Sequence, residues 1–417
     1  MKQTKSFLSV AIAAGLLASC SDDSQGKFEG IIDVPVTDEI TLSRSEADVN
    51  EGLNKFSFDF FNAVAENHAT VLLENQTDGN LSVSPVSAAM CMALLANSGD
   101  DALTSAISAM LGFNDLETLN STCNKLMRFL PSEKNGAKLM LANSVWYNNY
   151  FTARDEFIKS MGDTYFAEVN GIDLTDQSSV ETVNNWCSTK TGGLIPHVLE
   201  NIDPGCLAVI ANAMYFQGEW DVDFDENLTR PKDFHGTVAT TEVDMMHRDY
   251  SGFYYADSEA EAISIGFNGS TSMWLVLPKD GTTAEELSKN MTASKWNGLI
   301  EKPESRNIHL DVPRFKIESS AELNDAFSSL GLTCRFSGLD KLGINLPGQF
   351  ITRQKTSTEI DEKGATLAAA TVTDIYWNIS TQPAEEDVTL TFDHPFLYLI
   401  QNNTTGSILM AGRICNL

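Results

Sequence analysis

The chain has 417 residues and a formal net charge of −29, from 57 acidic and 28 basic residues. Nucleic acids bind proteins that present a basic face, so this charge argues against nucleic-acid binding. The chain is long enough to bury a sizeable core, and we interpret its acidity as a source of solubility for an exported protein.

The first twenty residues have the composition of an export signal. Lys2 and Lys5 precede an apolar stretch over residues 7–17, which is too short to span a bilayer stably. Residues 17–20, Leu-Ala-Ser-Cys, resemble the lipobox of bacterial lipoproteins, which implies lipidation of Cys20. An ordinary signal peptide with a chance cysteine is the alternative.

Three regions are predicted along the chain. A signal peptide covers residues 1–19, and residues 20–46 form a polar, acidic tether without a periodic pattern. Residues 47–417 contain no internal linker rich in Pro, Gly or Ser, so they are predicted to form one large domain.

Helices are predicted mainly in the first third of the domain. Apolar residues at helical spacing from Leu53 to Val64 predict an amphipathic first helix. Ser84 is a capping residue, and Pro85 suits the opening of a second, buried helix. This second helix is predicted over residues 86–97, and later helices are predicted over 100–111, 154–166, 178–190 and 321–330.

Strands are predicted mainly in the remainder of the chain. Residues 206–216 predict a central strand that is apolar on both faces. Residues 263–277 predict a hairpin, because Asn268 and Gly269 form a turn signal between alternating runs. Other strands are predicted over 139–147, 308–312, 315–317, 388–392, 396–401 and 407–413. This order of elements favours an α+β fold.

The sequence displays no catalytic or metal-binding motif. It contains no G-x-S-x-G and no H-E-x-x-H. Asp221, Asp223 and Asp225 alternate like a calcium loop, but the turn glycine and the closing glutamate are missing. We therefore expect no metal, no cofactor and no enzyme activity. Six widely spaced cysteines follow Cys20, and we expect four buried thiols and no disulfide framework.

A glycine followed by small residues stands about fifty residues before the C-terminus. The run leads into a segment rich in Thr and aromatic residues that ends near Glu386, and a sharp return follows at His394. This combination suits a loop that later becomes a strand. We call the first part of this segment the hinge, and its residues are Glu362, Gly364, Ala365, Leu367, Ala368, Ala369, Ala370 and Thr371.

Several separated motifs resemble those of the serpin family. Residues 80–87 resemble its N-x-x-x-S-P-x-S helix start, and residues 212–220 resemble its N-x-x-x-F-x-G-x-W strand end. Residues 312–315, Val-Pro-Arg-Phe, resemble its strand junction, and residues 393–396, Asp-His-Pro-Phe, its C-terminal signature. The resemblance implies the serpin fold: an α+β domain with a helical layer packed on large β-sheets and an exposed reactive loop over about 362–388.

The resemblance also implies irreversible suicide inhibition of serine proteases. A protease that attacks the loop forms an acyl-enzyme, and the cut loop then inserts as a new strand in the large sheet. Because side chains alternate along a strand, the inward set would be Ala365, Leu367, Ala369, Thr371 and Thr373. Leu367 departs from the usual Ala, and overpacking of about 1–3 kcal/mol would favour cleavage without trapping.

The scissile bond follows from the family's count of seventeen residues from the hinge glutamate. Counting from Glu362 leads to Asn378, with cleavage before Ile379. The loop is longer than in familiar members, so Tyr376 and Trp377 are alternatives. Two large aromatic residues on an exposed loop predict a chymotrypsin- or elastase-like target protease. The alternative is that these rings pack against the protein's own domain and have no role in recognition.

A polar cluster beneath the sheet gates its opening in this family. Ser84, Ser87 and Asn212 match that cluster, and Gln354 stands where many members have His. Glutamine can both donate and accept hydrogen bonds, so the hydrogen bonds of the cluster can form with glutamine at this position. We call these four residues the shutter. Trp220 matches the breach residue, at the point where the loop enters the sheet.

We expect a monomeric surface lipoprotein of a Gram-negative bacterium, held at the outer membrane by its lipid anchor alone. A periplasm-facing orientation is the alternative. The partner would be a target serine protease, and cysteine proteases stay open because they also form acyl-enzymes. Two rival functions are a non-inhibitory or substrate-like serpin and a secreted hydrolase.

Overall fold

The computed structural model describes residues 34–67, 79–203, 205–350, 352–365 and 385–417. The α-helices of these residues are α1 (Arg44–Glu66), α2 (Pro85–Ser98), α3 (Asp101–Leu111), α4 (Leu116–Phe129), α5 (Asp155–Tyr165), α6 (Ser178–Lys190), α7 (Ala284–Asn290), α8 (Ala293–Ile300) and α9 (Asn324–Ser329). No helix within these ranges is both long and apolar enough to cross a membrane.

Strands lie mostly in the second half of the chain, as predicted. They are β1 (Leu81–Val83), β2 (Ala137–Asn148), β3 (Glu168–Ile172), β4 (Ala208–Glu219), β5 (Arg230–His235), β6 (Thr240–Ala256), β7 (Ala260–Gly266), β8 (Thr271–Pro278), β9 (Glu304–Pro313), β10 (Phe315–Glu322), β11 (Arg335–Phe336), β12 (Gly348–Gln349), β13 (Arg353–Ile360), β14 (Gly364–Ala365), β15 (Glu385–Thr391), β16 (Phe396–Asn402) and β17 (Ile408–Ile414).

Capping explains where the first two helices begin. Ser43 caps α1 in a capping box with Glu46, so α1 begins at Arg44, three residues before the predicted domain boundary at residue 47. Part of the segment predicted as a tether contacts the folded domain. The Thr37 backbone N–H donates to the Arg128 carbonyl oxygen. Ser84 caps α2 with Pro85 in its first turn, as predicted.

The central helix α2 lies inside the molecule, since all of its residues are buried. One sheet has the strand order β1-β17-β16-β8-β7-β6-β9-β15, with β5 paired to β6, and it contains the predicted β7–β8 hairpin. A second sheet has the order β3-β2-β4-β14, and β10 pairs separately with β13. The elements therefore confirm the α+β class.

Two predicted elements differ from the structure. The helix predicted from Ala321 begins at Asn324, because β10 continues through Glu322 in its pairing with β13. The strand predicted over 206–216 spans 208–219, and most of it is half-buried rather than enclosed on both faces. The reason is that, among the described residues, β14 alone pairs with the side of β4 that faces β13, and it pairs only with Gly218 and Glu219.

Four of the six cysteines in the described ranges, Cys91, Cys123, Cys187 and Cys415, are buried, and the sequence predicted four buried thiols. Burial raises the pKa of the Cys91 and Cys123 thiols to about 12, so both are inert packing groups. No group of three or more His, Cys, Asp or Glu within the described ranges is placed to hold a metal ion.

Candidate functional site

The hinge begins with a tight turn after β13. The Asp361 carboxylate accepts the backbone N–H groups of Lys363 (2.9 Å) and Gly364 (3.1 Å), which reverses the chain. Gly364 has a φ of +141°, and a Cβ there would lie 2.1 Å from the Gly218 carbonyl oxygen. Glycine is therefore required at this point of the turn.

Glu362 ties this turn to the junction between β9 and β10. Glu362 is 3% exposed, and its carboxylate accepts from Arg314 Nε (2.7 Å) and Nη2 (2.6 Å) and from Thr229 Oγ1 (2.5 Å). Burial alone would raise the pKa of Glu362, but these hydrogen bonds outweigh burial and lower it. The carboxylate is thus held in its charged form.

Trp220 lies against the other side of the turn. Its indole Nε1 donates to the Asp361 carbonyl at 2.9 Å, and its backbone N–H donates to the Lys363 carbonyl at 3.0 Å. The ring is 2% exposed and stacks on Phe267 with the ring centroids 4.7 Å apart. Trp220 therefore binds the hinge turn through two hydrogen bonds, and the resemblance assigns this position to loop entry.

The first residues of the hinge are already part of the sheet. In β14, Gly364 pairs with Glu219 and Ala365 pairs with Gly218, both antiparallel. Gly364 also bridges Asp361 at the end of β13. At the C-terminal ends of β4 and β13, a single short strand, β14, therefore lies between them.

Below β14 the two walls separate around a groove. β4 forms one wall and β13 the other, and no ladder joins these two strands. Ser84, Ser87 and Ala88 at the start of α2 line the floor. The groove continues the line of β14, so it has the position that one further strand of the sheet would occupy.

The shutter residues hold the two walls to the floor. The Ser84 N–H donates to Gln354 Oε1, and Gln354 Nε2 donates to the Ser84 carbonyl, both at 2.9 Å. The Ser87 hydroxyl donates to Asn212 Oδ1, and Asn212 Nδ2 donates to Asn143 Oδ1 at 2.7 Å. Gln354 thus acts as donor and acceptor together, and the start of α2 bonds to both β4 and β13.

Sequence reasoning missed three partners of this site. Asn143, which extends the shutter to β2, could have been noticed as a buried polar residue inside an apolar strand. Arg314 stands in the strand-junction motif, and nothing in that motif pairs it with Glu362, 48 residues away. The stacking of Phe267 under Trp220 carries no signal in the sequence.

The other predicted site residues lie outside the described residues or have undescribed side chains. The residues outside are Cys20, Leu367, Ala368, Ala369, Ala370, Thr371, Tyr376, Trp377, Asn378 and Ile379. The structure describes Ala365 through its backbone pairing in β14.

Comparison with known proteins identifies the class of fold first. The chain superposes on the thermophilic serpin tengpin in its native state with a TM-score of 0.75, covering 91% of this chain and 96% of tengpin at 24% identity. It superposes on human thyroxine-binding globulin in complex with thyroxine with a TM-score of 0.76, covering 88% and 99% at 20% identity. At these identities the likeness shows the serpin fold.

Sequence comparison then gives the family. The profile described as "Serpin (serine protease inhibitor)" matches residues 51–417. Iripin-2 of Ixodes ricinus is 30% identical over 89% of this chain and 94% of its own length. Iris of the same species is 29% identical over 88% and 99%. The chain belongs to the serpin family, many of whose members are protease inhibitors.

Proposed function

We propose that this protein is an irreversible inhibitor of serine proteases that traps the acyl-enzyme by inserting its cut loop into the groove. The observation that carries this proposal is the hinge. Gly364 and Ala365 are already paired to β4, and the groove continues from them. A cut loop can therefore extend a ladder that has already begun, without first finding its register.

The observed pairing predicts the register of the inserted strand. Each step along the loop moves one residue back along β4 and, because the turn at Asp361 is a hairpin, one residue back along β13. The predicted neighbours are Phe216 and Thr358 for Leu367, Met214 and Thr356 for Ala369, and Asn212 and Gln354 for Thr371.

This register supports the inward set predicted from the sequence. Residues directly opposite in antiparallel strands point to the same face of the sheet. Thr356 and Thr358 are each 5% exposed, so the residues that pair with them would point to the floor formed by α2. Thr371 would arrive at the shutter, where its hydroxyl meets amide groups rather than an apolar wall.

Insertion has a clear source of free energy. Both walls of the groove are strand edges, and their backbone groups gain ladder partners when a strand enters. Each hydrogen bond contributes a net of about 0.5–1.5 kcal/mol. Hydrogen bonds alone do not offset the conformational entropy lost when the loop becomes ordered, so the burial of side chains must contribute as well. Small inward side chains at 365 and 369 suit that burial.

A substrate-like serpin is the second candidate, and Leu367 favours it. The ring of its predicted neighbour Phe216 already packs against Phe267, with the centroids 5.2 Å apart. A leucine must displace atoms there that an alanine would not, and overpacking slows insertion. A slower insertion lets water release the protease before it is distorted.

The target class rests on the loop residues. We propose cleavage between Asn378 and Ile379, with Tyr376 and Trp377 as alternative specificity residues, by a chymotrypsin- or elastase-like protease. Large apolar or aromatic side chains near the scissile bond fill the specificity pockets of such proteases. We further propose that the protein acts as a monomer anchored through Cys20 at the outer membrane, where it would meet external proteases.

The deciding experiment incubates the full-length protein with chymotrypsin, elastase and trypsin, followed by denaturing electrophoresis and mass spectrometry. Trapping gives a covalent band at the summed mass, and the released C-terminal peptide identifies the cut bond. Clean cleavage by all three proteases without such a band would support the substrate-like alternative. Trapping of trypsin alone would contradict the proposed target class.

A further inference from the structure

A row of polar side chains crosses the exposed face of the larger sheet, between β6 and β9. His247 and Asp249 lie two residues apart on β6, so their side chains point to the same face. The register places Asp311 of β9 opposite His247 and His309 opposite Asp249, so these two side chains share that face. The interactions of the hinge, the shutter and Trp220 use none of these four residues.

Contacts between these side chains extend across three strands. Lys232 Nζ of β5 lies 2.7 Å from Asp311 Oδ2, and Asp311 Oδ1 lies 2.8 Å from His247 Nδ1. On the other side of the ring, His247 Nε2 lies 3.2 Å from Asp249 Oδ1, and that oxygen lies 2.7 Å from His309 Nδ1. We call these five residues the histidine row.

Both ring nitrogens of His247 face a carboxylate oxygen. An ionised carboxylate only accepts hydrogen bonds, and a neutral imidazole carries a single N–H. A neutral His247 can therefore donate to Asp311 or to Asp249, and its remaining lone pair then faces a carboxylate lone pair at the other contact. Only the imidazolium donates at both contacts, so the row is complete when each nitrogen carries a proton.

Other partners hold the carboxylates of the row in their charged forms. Lys232 forms an ion pair with Asp311, which is 9% exposed, so this pair is less screened than a pair on the open surface. The hydrogen bond from His309 lowers the pKa of Asp249, and the nearby His247 ring adds to this effect. The proton that completes the row therefore belongs on His247 and not on either carboxylate.

His309 differs from His247 in its surroundings. Its Nδ1 donates to Asp249 at 2.7 Å, and a neutral ring with its proton on Nδ1 makes this contact fully. On its other side lies β15, where the residue opposite His309 is the uncharged Thr389. His309 therefore needs no second proton to keep its place in the row.

The neighbouring strands carry two further charged groups, and each has another partner. Arg230 of β5 donates to the Thr229 carbonyl at 2.6 Å. Asp387 of β15 accepts from Asn307 at 3.0 Å. The carboxylates that contact the His247 ring are therefore the charges that act on it most directly.

We propose that His247 is a proton-dependent link in the seam between β6 and β9. With both ring nitrogens protonated it donates to Asp311 and Asp249 together, and the loss of one proton replaces one of these hydrogen bonds with a repulsive contact. Histidine gains its second proton between about pH 8 and pH 5, so mild acid strengthens this seam. Because β15 pairs with β9, the link acts on the part of the sheet that holds the chain after the reactive loop, whether or not the protein traps a protease.

The test compares urea denaturation of the full-length protein and two variants between pH 5.5 and pH 8.5. His247→Gln cannot titrate at this position, whereas the amide of His309→Gln can still donate to Asp249. The folded wild type binds one proton more than the unfolded chain, so its folded-to-unfolded ratio should gain on that of His247→Gln by up to about tenfold for each pH unit lowered. His309→Gln should keep a pH dependence close to that of the wild type.

The sign of the effect follows from which state favours the charge. A histidine whose charged form is favoured in the folded state adds stability that is present at low pH and is lost as the pH rises. The gap between wild type and His247→Gln should thus be widest near pH 5.5 and narrowest near pH 8.5. A gap that does not change with pH, or the same pH dependence in both variants, would overturn the proposal.

Asp249→Asn gives a second route to the answer if His247→Gln does not fold. Asparagine can accept from a protonated Nε2 or donate to an unprotonated one, so both states of the His247 ring fit beside it. This variant should lose the same pH-dependent part of the stability. A pH dependence equal to that of the wild type would contradict the proposal.

Discussion

Introducing a charge at alternate positions of the hinge tests the register of the inserted strand. Ala369 is predicted to pair with Met214 and Thr356 and to point inward, whereas Ala368 is predicted to pair with half-buried Tyr215 and Ser357 and to point outward. Ala369→Arg and Ala368→Arg therefore carry the same change on opposite faces, and each is the other's control.

The expected magnitude follows from the burial of the groove floor. Thr356 is 5% exposed, so an arginine beside it is ionised and unpaired, at an effective cost of several kcal/mol. If half of about 4 kcal/mol reaches the insertion barrier, insertion slows roughly thirtyfold. Deacylation then overtakes insertion, and Ala369→Arg becomes a substrate. Ala368→Arg keeps its charge in solvent and continues to trap.

The assay is the number of inhibitor molecules consumed per protease inactivated, measured with chymotrypsin and checked by the covalent band on denaturing gels. Thermal unfolding of both variants shows whether each has folded. The reasoning is refuted if Ala368→Arg loses trapping while Ala369→Arg retains it, or if the two variants behave alike.

Three other predictions concern single residues. Leu367→Ala is expected to relieve overpacking of about 1–3 kcal/mol beside Phe216. If half of that cost acts on the insertion barrier, insertion speeds up roughly 2- to 13-fold, so less inhibitor should be cleaved per protease trapped; an unchanged ratio would contradict this. Gln354→Leu removes both 2.9 Å hydrogen bonds to the Ser84 backbone and should lower the free energy of unfolding by about 1–3 kcal/mol, measured by urea denaturation with Lys355→Leu as the surface comparison. Glu362→Gln loses the charged contact to Arg314. The pKa of Glu362 is lowered in the folded state. The stabilisation that the Glu362 carboxylate provides is therefore complete above the ordinary glutamate pKa and is lost as the pH falls through the folded-state pKa. The stability gap between wild type and Glu362→Gln should thus be wide at pH 7 and should narrow as the pH falls below the ordinary glutamate pKa. A gap that stays constant with pH would exclude this origin.

Several features of the site could be read from the sequence because they depend on groups close together in the chain. Ser84 and Pro85 mark the start of α2, and the structure places both where capping requires them. Gly112 ends α3 with a φ of +77°, as a glycine after a helix predicts. The β7–β8 hairpin likewise follows from its turn residues.

Other features were misjudged because the sequence pattern has more than one reading. An apolar run such as residues 206–216 indicates a strand that can be enclosed on both sides. In the structure one side of β4 borders the groove, so most of the strand is half-buried. The run suits a strand that becomes enclosed when another strand enters, and composition does not distinguish that state from permanent burial.

The sequence by itself determined the family, the starts of the main helices and the alternation of the hinge, because motifs, caps and side-chain parity act over a few residues. The tertiary structure alone decided that β14 has begun to pair with β4, that Glu362 meets Arg314, and that a groove lies beside α2. These features depend on how distant strands assemble and on where a strand is missing between them. Such gaps arise from packing among residues far apart in the chain, and no local pattern encodes them.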